Sequence, residues 1–69
     1  MTIYDFEAIE NYQGSRVIDR YRLEAETFAE ACSIAQYNET VTAYEHDREP
    51  TYYDEFKQIK RWPTHTNNS

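Results

Sequence analysis

Glycine, cysteine and long apolar runs are all scarce in this chain of 69 residues, which has one glycine and one cysteine. A single glycine excludes the glycine-rich loops that cradle phosphate groups. The lone Cys32 excludes an intramolecular disulfide and favours a reducing compartment. Because a long apolar run is absent, we expect neither a signal peptide nor a membrane-spanning helix. We therefore expect a cytoplasmic protein without membrane association.

Large aliphatic side chains are also few, and aromatic residues take their place: seven tyrosines, three phenylalanines and one tryptophan. A chain of this length forms one small domain that buries only about 60% of its unfolded surface. We expect a thin core built on aromatic rings, which a homodimer could complete by burying more surface. The predicted domain spans residues 1–62, and the polar residues 63–69 are expected to form a flexible tail.

Negative charge is concentrated in one part of the chain. Residues 24–55 contain nine acids and one base, whereas the remaining residues contain four acids and six bases, which gives a net charge of −6. An acidic surface is repelled by the phosphates of nucleic acids and by anionic lipids. Direct binding to nucleic acid is therefore not expected, and a partner protein with a basic surface is favoured.

Alternation of polar and apolar residues predicts a β-hairpin at the start of the chain. In residues 2–10, Tyr4 and Phe6 fall on one face and acids on the other. Residues 16–23 alternate again, and the intervening residues 11–15 contain the only glycine, which suits a hairpin loop. Arginines of the second strand can face the acids of the first, because opposite charges across strands are mildly stabilising.

A helix is predicted from Phe28 to residue 37. Thr27 and Glu30 have the spacing of a capping box, in which the Thr hydroxyl caps the helix and the Glu reaches back. Cys32 lies on the apolar stripe, so we interpret it as a buried small hydrophobe and not as a nucleophile. The stripe consists of Phe28, Ala31, Cys32 and Ala35.

Two further strands are predicted after the helix. Residues 40–44 are β-branched and aromatic, which favours a third strand. The alternative is a helix that continues to Tyr44, because Val41 and Tyr44 also fit helical spacing. Residues 46–50 are predicted to form a loop, and 51–62 a fourth strand rich in aromatic residues. The resulting prediction is a small α+β domain of order β-β-α-β-β, an antiparallel sheet with one helix packed on one face.

No catalytic, cofactor or metal motif accompanies the acids. Glu45, Asp47 and Glu49 alternate, but the glycine and the terminal Glu of a calcium-binding EF-hand loop are missing. Asp54 and Glu55 are adjacent and cannot by themselves form the separated carboxylate pair of a glycosidase. We therefore expect a non-enzymatic protein that uses no cofactor and no metal.

The remaining prediction is a contact surface for a basic partner. Embedded tyrosines would supply anchors that charge alone does not provide. In composition, the chain resembles small phage-encoded proteins that disable host enzymes, including DNA mimics. That resemblance implies an inhibitor or regulator that occludes a basic, nucleic-acid-binding site. The predicted contact residues are Glu24, Glu26 and Glu30 at the helix start, the acids Glu45, Asp47, Glu49, Asp54 and Glu55, and the tyrosines Tyr44, Tyr52 and Tyr53.

This surface is continuous only if the fold brings the helix start close to the 45–55 segment. Two other functions stay open. The protein could be an assembly subunit that forms homo-oligomers by pairing exposed sheet edges. It could also bind nucleic acid through basic residues of one sheet face, namely Arg16, Arg20, Arg22, Lys57, Lys60 and Arg61.

Overall fold

The computed structural model describes residues 1–64 and has three strands and one helix. The antiparallel sheet has the order β2-β1-β3, and the helix packs on one of its faces. This confirms the α+β class with one helix on an antiparallel sheet. No helix within the described residues is long and apolar enough to cross a membrane. The elements are β1 (Thr2–Glu10), β2 (Arg16–Ala25), α1 (Phe28–Glu45) and β3 (Glu55–Pro63).

The predicted hairpin is present, with β1 paired to β2. Its loop places Gln13 and Gly14 at φ values of 61° and 100°. Glycine suits the second position because a side chain at that φ is strained, although nothing lies within 4 Å of where its Cβ would be. The register shifts between Ala8 and Ile9, which leaves Ile18 as the extra residue of a β-bulge in β2.

The predicted third strand over residues 40–44 is wrong, because α1 continues without a break to Glu45. Poor helix formers such as Thr40 cost only tenths of a kcal/mol each, and tertiary packing overrides such costs. Thr40 also donates its hydroxyl to the carbonyl of Gln36 at 2.9 Å. The packing is supplied by a buried stripe at steps of four residues: Ala31, Ala35, Glu39 and Ala43.

The last strand is shorter at its start than predicted and pairs with β1, which makes β1 the central strand. Its register shifts between Asp5 and Phe6, so Ile59 is the extra residue of a second bulge. Pro63 belongs to this strand, and Thr64 donates from its amide and hydroxyl to the carbonyl of Met1 at 2.9 and 2.7 Å. Of the predicted tail, residues 65–69 lie outside the described part of the chain.

The core between sheet and helix is aromatic, as the composition predicts. Phe6 is only 2% exposed, and its ring contacts three others: an edge contact with Phe28 at 5.3 Å, another with Phe56 at 5.7 Å, and a stacked contact with Tyr21 at 5.6 Å. Such aromatic pairs stabilise beyond their buried area. Alanines on the facing side, among them Ala35, let the helix approach the sheet closely.

The opposite face of the sheet carries paired charges. Arg22 donates to both carboxylate oxygens of Asp5 at 2.8 and 3.0 Å, and Nε of Arg20 lies 3.3 Å from a carboxylate oxygen of Glu7. The predicted pairing of these arginines with the acids of the first strand is confirmed. Arg22 also lies over the ring of Trp62, 4.7 Å from its centroid, which adds a cation–π contact.

Candidate functional site

The predicted contact residues lie at two ends of the molecule. The helix starts just after Ala25, which pairs with Thr2. After the helix the chain returns to the other end of β1, where the amide of Asp54 donates to the carbonyl of Ile9 at 2.9 Å. A helix of 18 residues spans about 27 Å. The acids at the helix start and those of the 45–55 segment therefore do not form one continuous surface.

Acids at the helix start contribute to local structure. The hydroxyl of Thr27 accepts from the amide of Glu30 at 3.1 Å, and the carboxylate of Glu30 accepts from the amide of Glu26 at 2.7 Å. This confirms Thr27 as the N-cap, whereas Glu30 reaches back to the amide of Glu26, one residue before the N-cap amide of a standard capping box. The Thr64 hydroxyl, which donates to the Met1 carbonyl, also lies 3.2 Å from a carboxylate oxygen of Glu24. Acids here also suit the positive end of the helix dipole.

The other end of the helix is closed by a Schellman motif. His46 is the C-cap, the amide of Asp47 donates to the Tyr44 carbonyl at 3.3 Å, and the amide of Arg48 donates to the Ala43 carbonyl at 3.0 Å. Asp47 occupies the left-handed position with φ 59°, a position that glycine usually fills. The chain thus turns sharply at the helix end and presents an acid at the turn.

Three exposed acids surround this turn, and we name Glu45, Asp47 and Glu49 the acidic end. The last turn of the helix contains no basic residue. Carbonyl groups make this end of a helix negative, so acids here are unfavourable by a few tenths of a kcal/mol each when exposed. The left-handed position adds a further cost to Asp47. The acidic end therefore conflicts both with the helix dipole and with the backbone preference at Asp47.

Arg48 is the one base in residues 24–55, but a buried acid engages it. Its guanidinium donates to both carboxylate oxygens of Glu39, at 2.7 and 3.1 Å, and the amide of Thr51 donates to the same carboxylate at 2.9 Å. Glu39 is 8% exposed. The bonds from Arg48 first, and then the one from Thr51, lower the pKa of Glu39 to about 2. The positive charge nearest the acidic end is thus already paired.

A second polar residue of the helix holds the following segment in place. The side chain of Gln36 donates from Nε2 to the carbonyl of Thr51 at 2.8 Å and accepts from the amide of Tyr53 at 2.9 Å. With Glu39, this amide clamps the chain against the helix. Neither role was predicted from the sequence. A detectable signal existed for Glu39, because it continues the alanine stripe at a step of four.

The three predicted tyrosine anchors differ in exposure. Tyr44 is 87% exposed and Tyr52 is 71% exposed. Tyr53 is half-buried: its hydroxyl lies 2.6 Å from that of Tyr21 and donates to the carboxylate of Asp19 at 2.7 Å. Burial is the main cause, and these hydrogen bonds the next, that raise the pKa of Tyr53 well above its usual value. Tyr53 therefore ties the segment to β2, which leaves Tyr44 and Tyr52 as accessible anchors.

Asp54 and Glu55 contact the hairpin loop. Asp54 accepts from the backbone amide of Asn11 at 2.7 Å, and Glu55 accepts from the Asn11 side chain at 3.0 Å. These bonds join the segment after the helix to the β1–β2 loop. Both carboxylates are exposed, but each already accepts a hydrogen bond from Asn11. These structural contacts explain the two acids without a partner protein.

The charges separate between the two layers of the fold. The three strands carry six acids and six bases, so the net charge of −6 belongs to the helix and the connecting segments. In the sheet pairs the base is the more exposed partner: the side chain of Arg20 is 79% exposed and that of Glu7 is 16% exposed. Of the basic residues in the sheet, Arg16, Arg20 and Arg22 are each paired with an acid of β1.

Burial raises the pKa of the Cys32 thiol, which makes it a poorer nucleophile. No group of three or more His, Cys, Asp or Glu side chains among residues 1–64 could hold a metal ion. Comparison with protein-family models, with curated proteins and with solved structures finds no match to this chain.

Proposed function

We propose that this protein is a non-enzymatic binding module that captures a partner protein with a basic surface through its acidic end. By covering that surface it acts as an inhibitor or regulator of the partner. One observation carries the proposal: three exposed acids stand at the negative end of the helix dipole while the nearby base, Arg48, is engaged by Glu39.

The energetic argument is that stability alone does not account for these residues. A small domain has only a few kcal/mol of stability, and acids at this end of a helix reduce it. Asp47 adds the cost of a side chain in the left-handed region. Local choices that conflict with the fold tend to concentrate at functional sites. Two such conflicts coincide at the acidic end.

Exposed aromatic side chains near the acidic end supply what charge lacks. Exposed charge mainly speeds association and selects the partner, whereas desolvated tyrosines are frequent hot spots of affinity. Tyr44 immediately precedes Glu45, and Tyr52 lies on the segment clamped by Gln36. We assign the steering of the partner to the acids and the tight contact to these two tyrosines.

The other two functions have less physical support. Both edge strands contain a β-bulge, and both carry exposed basic residues, two devices that impede edge-to-edge pairing of sheets. A nucleic-acid site on the open sheet face is opposed by Asp5 and Glu7, which lie between the basic residues. Neither function gives the acidic end a role.

The test compares two variants with the same change in charge. One is Glu45→Gln with Glu49→Gln, and its matched control at the other end of the helix is Glu24→Gln with Glu26→Gln. Each protein is immobilised, exposed to cell extract at low and high salt, and the retained proteins are quantified by mass spectrometry. Circular dichroism checks that the fold of each variant is intact.

We expect specific partners to be retained by the wild type and the control, and to be lost from the Glu45/Glu49 variant and at high salt. Partner retention that survives both the variant and high salt would contradict the proposal. Equal loss from both variants would show that total charge, and not the acidic end, retains the partner.

A further inference from the structure

A small apolar groove lies beside the acidic end, between the last turns of α1 and the segment that follows. Its volume is about 240 Å³. Ligand pockets for small molecules usually have volumes of about 300–1,000 Å³. The groove is therefore better matched to a side chain of a polypeptide than to a free ligand. Its lining residues are Thr40, Val41, Tyr44, Arg48 and Pro50.

Two of these lining residues are polar by type, but their polar groups are engaged elsewhere. The hydroxyl of Thr40 donates to the carbonyl of Gln36 at 2.9 Å. The guanidinium of Arg48 is paired with Glu39. These two residues therefore line the groove with apolar groups, which are the methyl group of Thr40 and the methylene stem of Arg48. An apolar side chain can enter without leaving their polar groups unpaired.

Negative charge borders the groove. Glu45 follows the lining residue Tyr44, and Asp47 and Glu49 stand on either side of the lining residue Arg48. All three acids are exposed. An occupant that suits this combination has an apolar side chain for the groove and positive charge beside it. A neutral or acidic segment would leave the acids unpaired or repelled.

We propose that the groove receives one large aliphatic side chain of the partner, held within a segment whose neighbouring residues are Lys or Arg. This inference rests on the proposed function, because it specifies the segment through which the basic partner is captured. The basic residues face the acidic end, and the aliphatic side chain packs against Val41, Tyr44 and Pro50.

The test uses two defined peptides as probes. Both are short, capped and lysine-rich, and they differ only at the central residue, which is Leu in one and Ser in the other. Each is titrated into isotope-labelled full-length protein at low salt, and binding is followed by NMR. We expect the Leu peptide to bind about tenfold more tightly or better, as burial of one aliphatic side chain predicts, and to shift the signals of Val41 and Tyr44.

A pair of variants tests whether the Leu side chain binds in the groove. Val41→Ala removes two methyl groups from the wall of the groove and keeps a good helix former, so it should remove most of the preference for the Leu peptide without unfolding the helix. The matched control is Val17→Ala on β2, a residue that is 44% exposed and does not line the groove. This control should leave the preference unchanged.

Each alternative outcome has a definite meaning. If the two peptides bind equally and shift only the acidic end, the groove is not the anchor site, but the proposed function stands. If neither peptide binds at low salt, both proposals are overturned. If the Val41 and Tyr44 signals shift on dilution without peptide, the groove belongs to a contact between copies of this chain, and the inference is overturned.

Discussion

Arg48 donates two hydrogen bonds to Glu39, nine residues earlier in the chain, and so ties the turn after the helix back against the helix. The same carboxylate accepts from the amide of Thr51. Glu39 thus fixes the start of the segment that leads into β3. The pair also neutralises the base that would otherwise offset the acidic end. One buried carboxylate therefore serves both the fold and the charge of the proposed contact surface.

Removal of this carboxylate should destabilise the protein in a pH-dependent way. The pKa of Glu39 lies at about 2 in the folded protein against an ordinary value of 4.5. Because the folded pKa is lowered, the stabilisation is present above pH 4.5 and is lost as the pH falls towards about 2. We expect Glu39→Gln to cost about 1–3 kcal/mol at neutral pH and much less near pH 2. Urea unfolding over this pH range measures both effects.

The control for this experiment is Glu49→Gln, which changes the same charge at an exposed position. It should change the free energy of unfolding by less than about 0.5 kcal/mol. If Glu39→Gln unfolds with the same pH dependence as the wild type, the pair with Arg48 does not stabilise the fold as proposed.

Asp47→Gly should stabilise the protein while weakening capture of the partner. Glycine adopts the observed φ of 59° without strain, and the change removes a negative charge from the negative end of the helix. We expect a gain of about 1 kcal/mol in the free energy of unfolding. Glu49→Gly makes the same charge change outside the left-handed position and should give no such gain. Equal effects of the two variants in thermal unfolding would refute this explanation of the turn.

How far the sequence predicts the fold is clearest at residues 40–44. Their β-branched and aromatic residues favour a strand locally. They are nevertheless helical, because the buried stripe from Ala31 to Ala43 packs along this part of the helix. Poor helix residues such as Asn38, Thr40 and Thr42 favoured the strand in the sequence, but packing of the stripe outweighs their small individual costs. The hairpin and the helix start were predictable, since both depend on residues close together in the chain.

The candidate site was less predictable because its geometry depends on distant residues. The exposure of Tyr52 and the burial of Tyr53 follow from the clamp by Gln36, which lies 17 residues before Tyr53. The separation of Glu24 from Glu45 follows from the unbroken length of the helix. Composition indicated how much negative charge there is, but only the packing determines which acids can act together.

Loss of the N-cap should weaken the helix without affecting the acidic end. Thr27→Ala removes the hydroxyl that accepts from the amide of Glu30, which should cost about 1 kcal/mol. Thr27→Ser retains the acceptor and should restore most of that energy. Thr42→Ala, at an exposed position within the helix, should be neutral or slightly stabilising. Chemical denaturation of the three variants tests this order, and an equal cost for Thr27→Ala and Thr27→Ser would contradict the capping role.

The aromatic core should tolerate little loss of volume. Phe6 contacts three other rings, and truncation of a buried Phe to Ala typically costs about 3–5 kcal/mol. That cost approaches the whole stability expected of a domain this small. We therefore expect Phe6→Ala to be largely unfolded in circular dichroism at room temperature. Tyr12→Ala, at a residue 73% exposed in the hairpin loop, should leave the spectrum unchanged; a folded Phe6→Ala variant would mean that the core carries less of the stability.

The clamp formed by Gln36 makes a prediction at the level of single amide groups. Gln36→Leu removes the acceptor for the amide of Tyr53, whereas the amide of Thr51 keeps its bond to Glu39. Hydrogen exchange followed by NMR should therefore accelerate at Tyr53 and stay slow at Thr51, because only the first amide loses its partner. Asn38→Leu, at an exposed position of the same helix, should change neither rate. If both amides accelerate together in Gln36→Leu, the segment detaches as a unit, and Glu39 cannot hold it without Gln36.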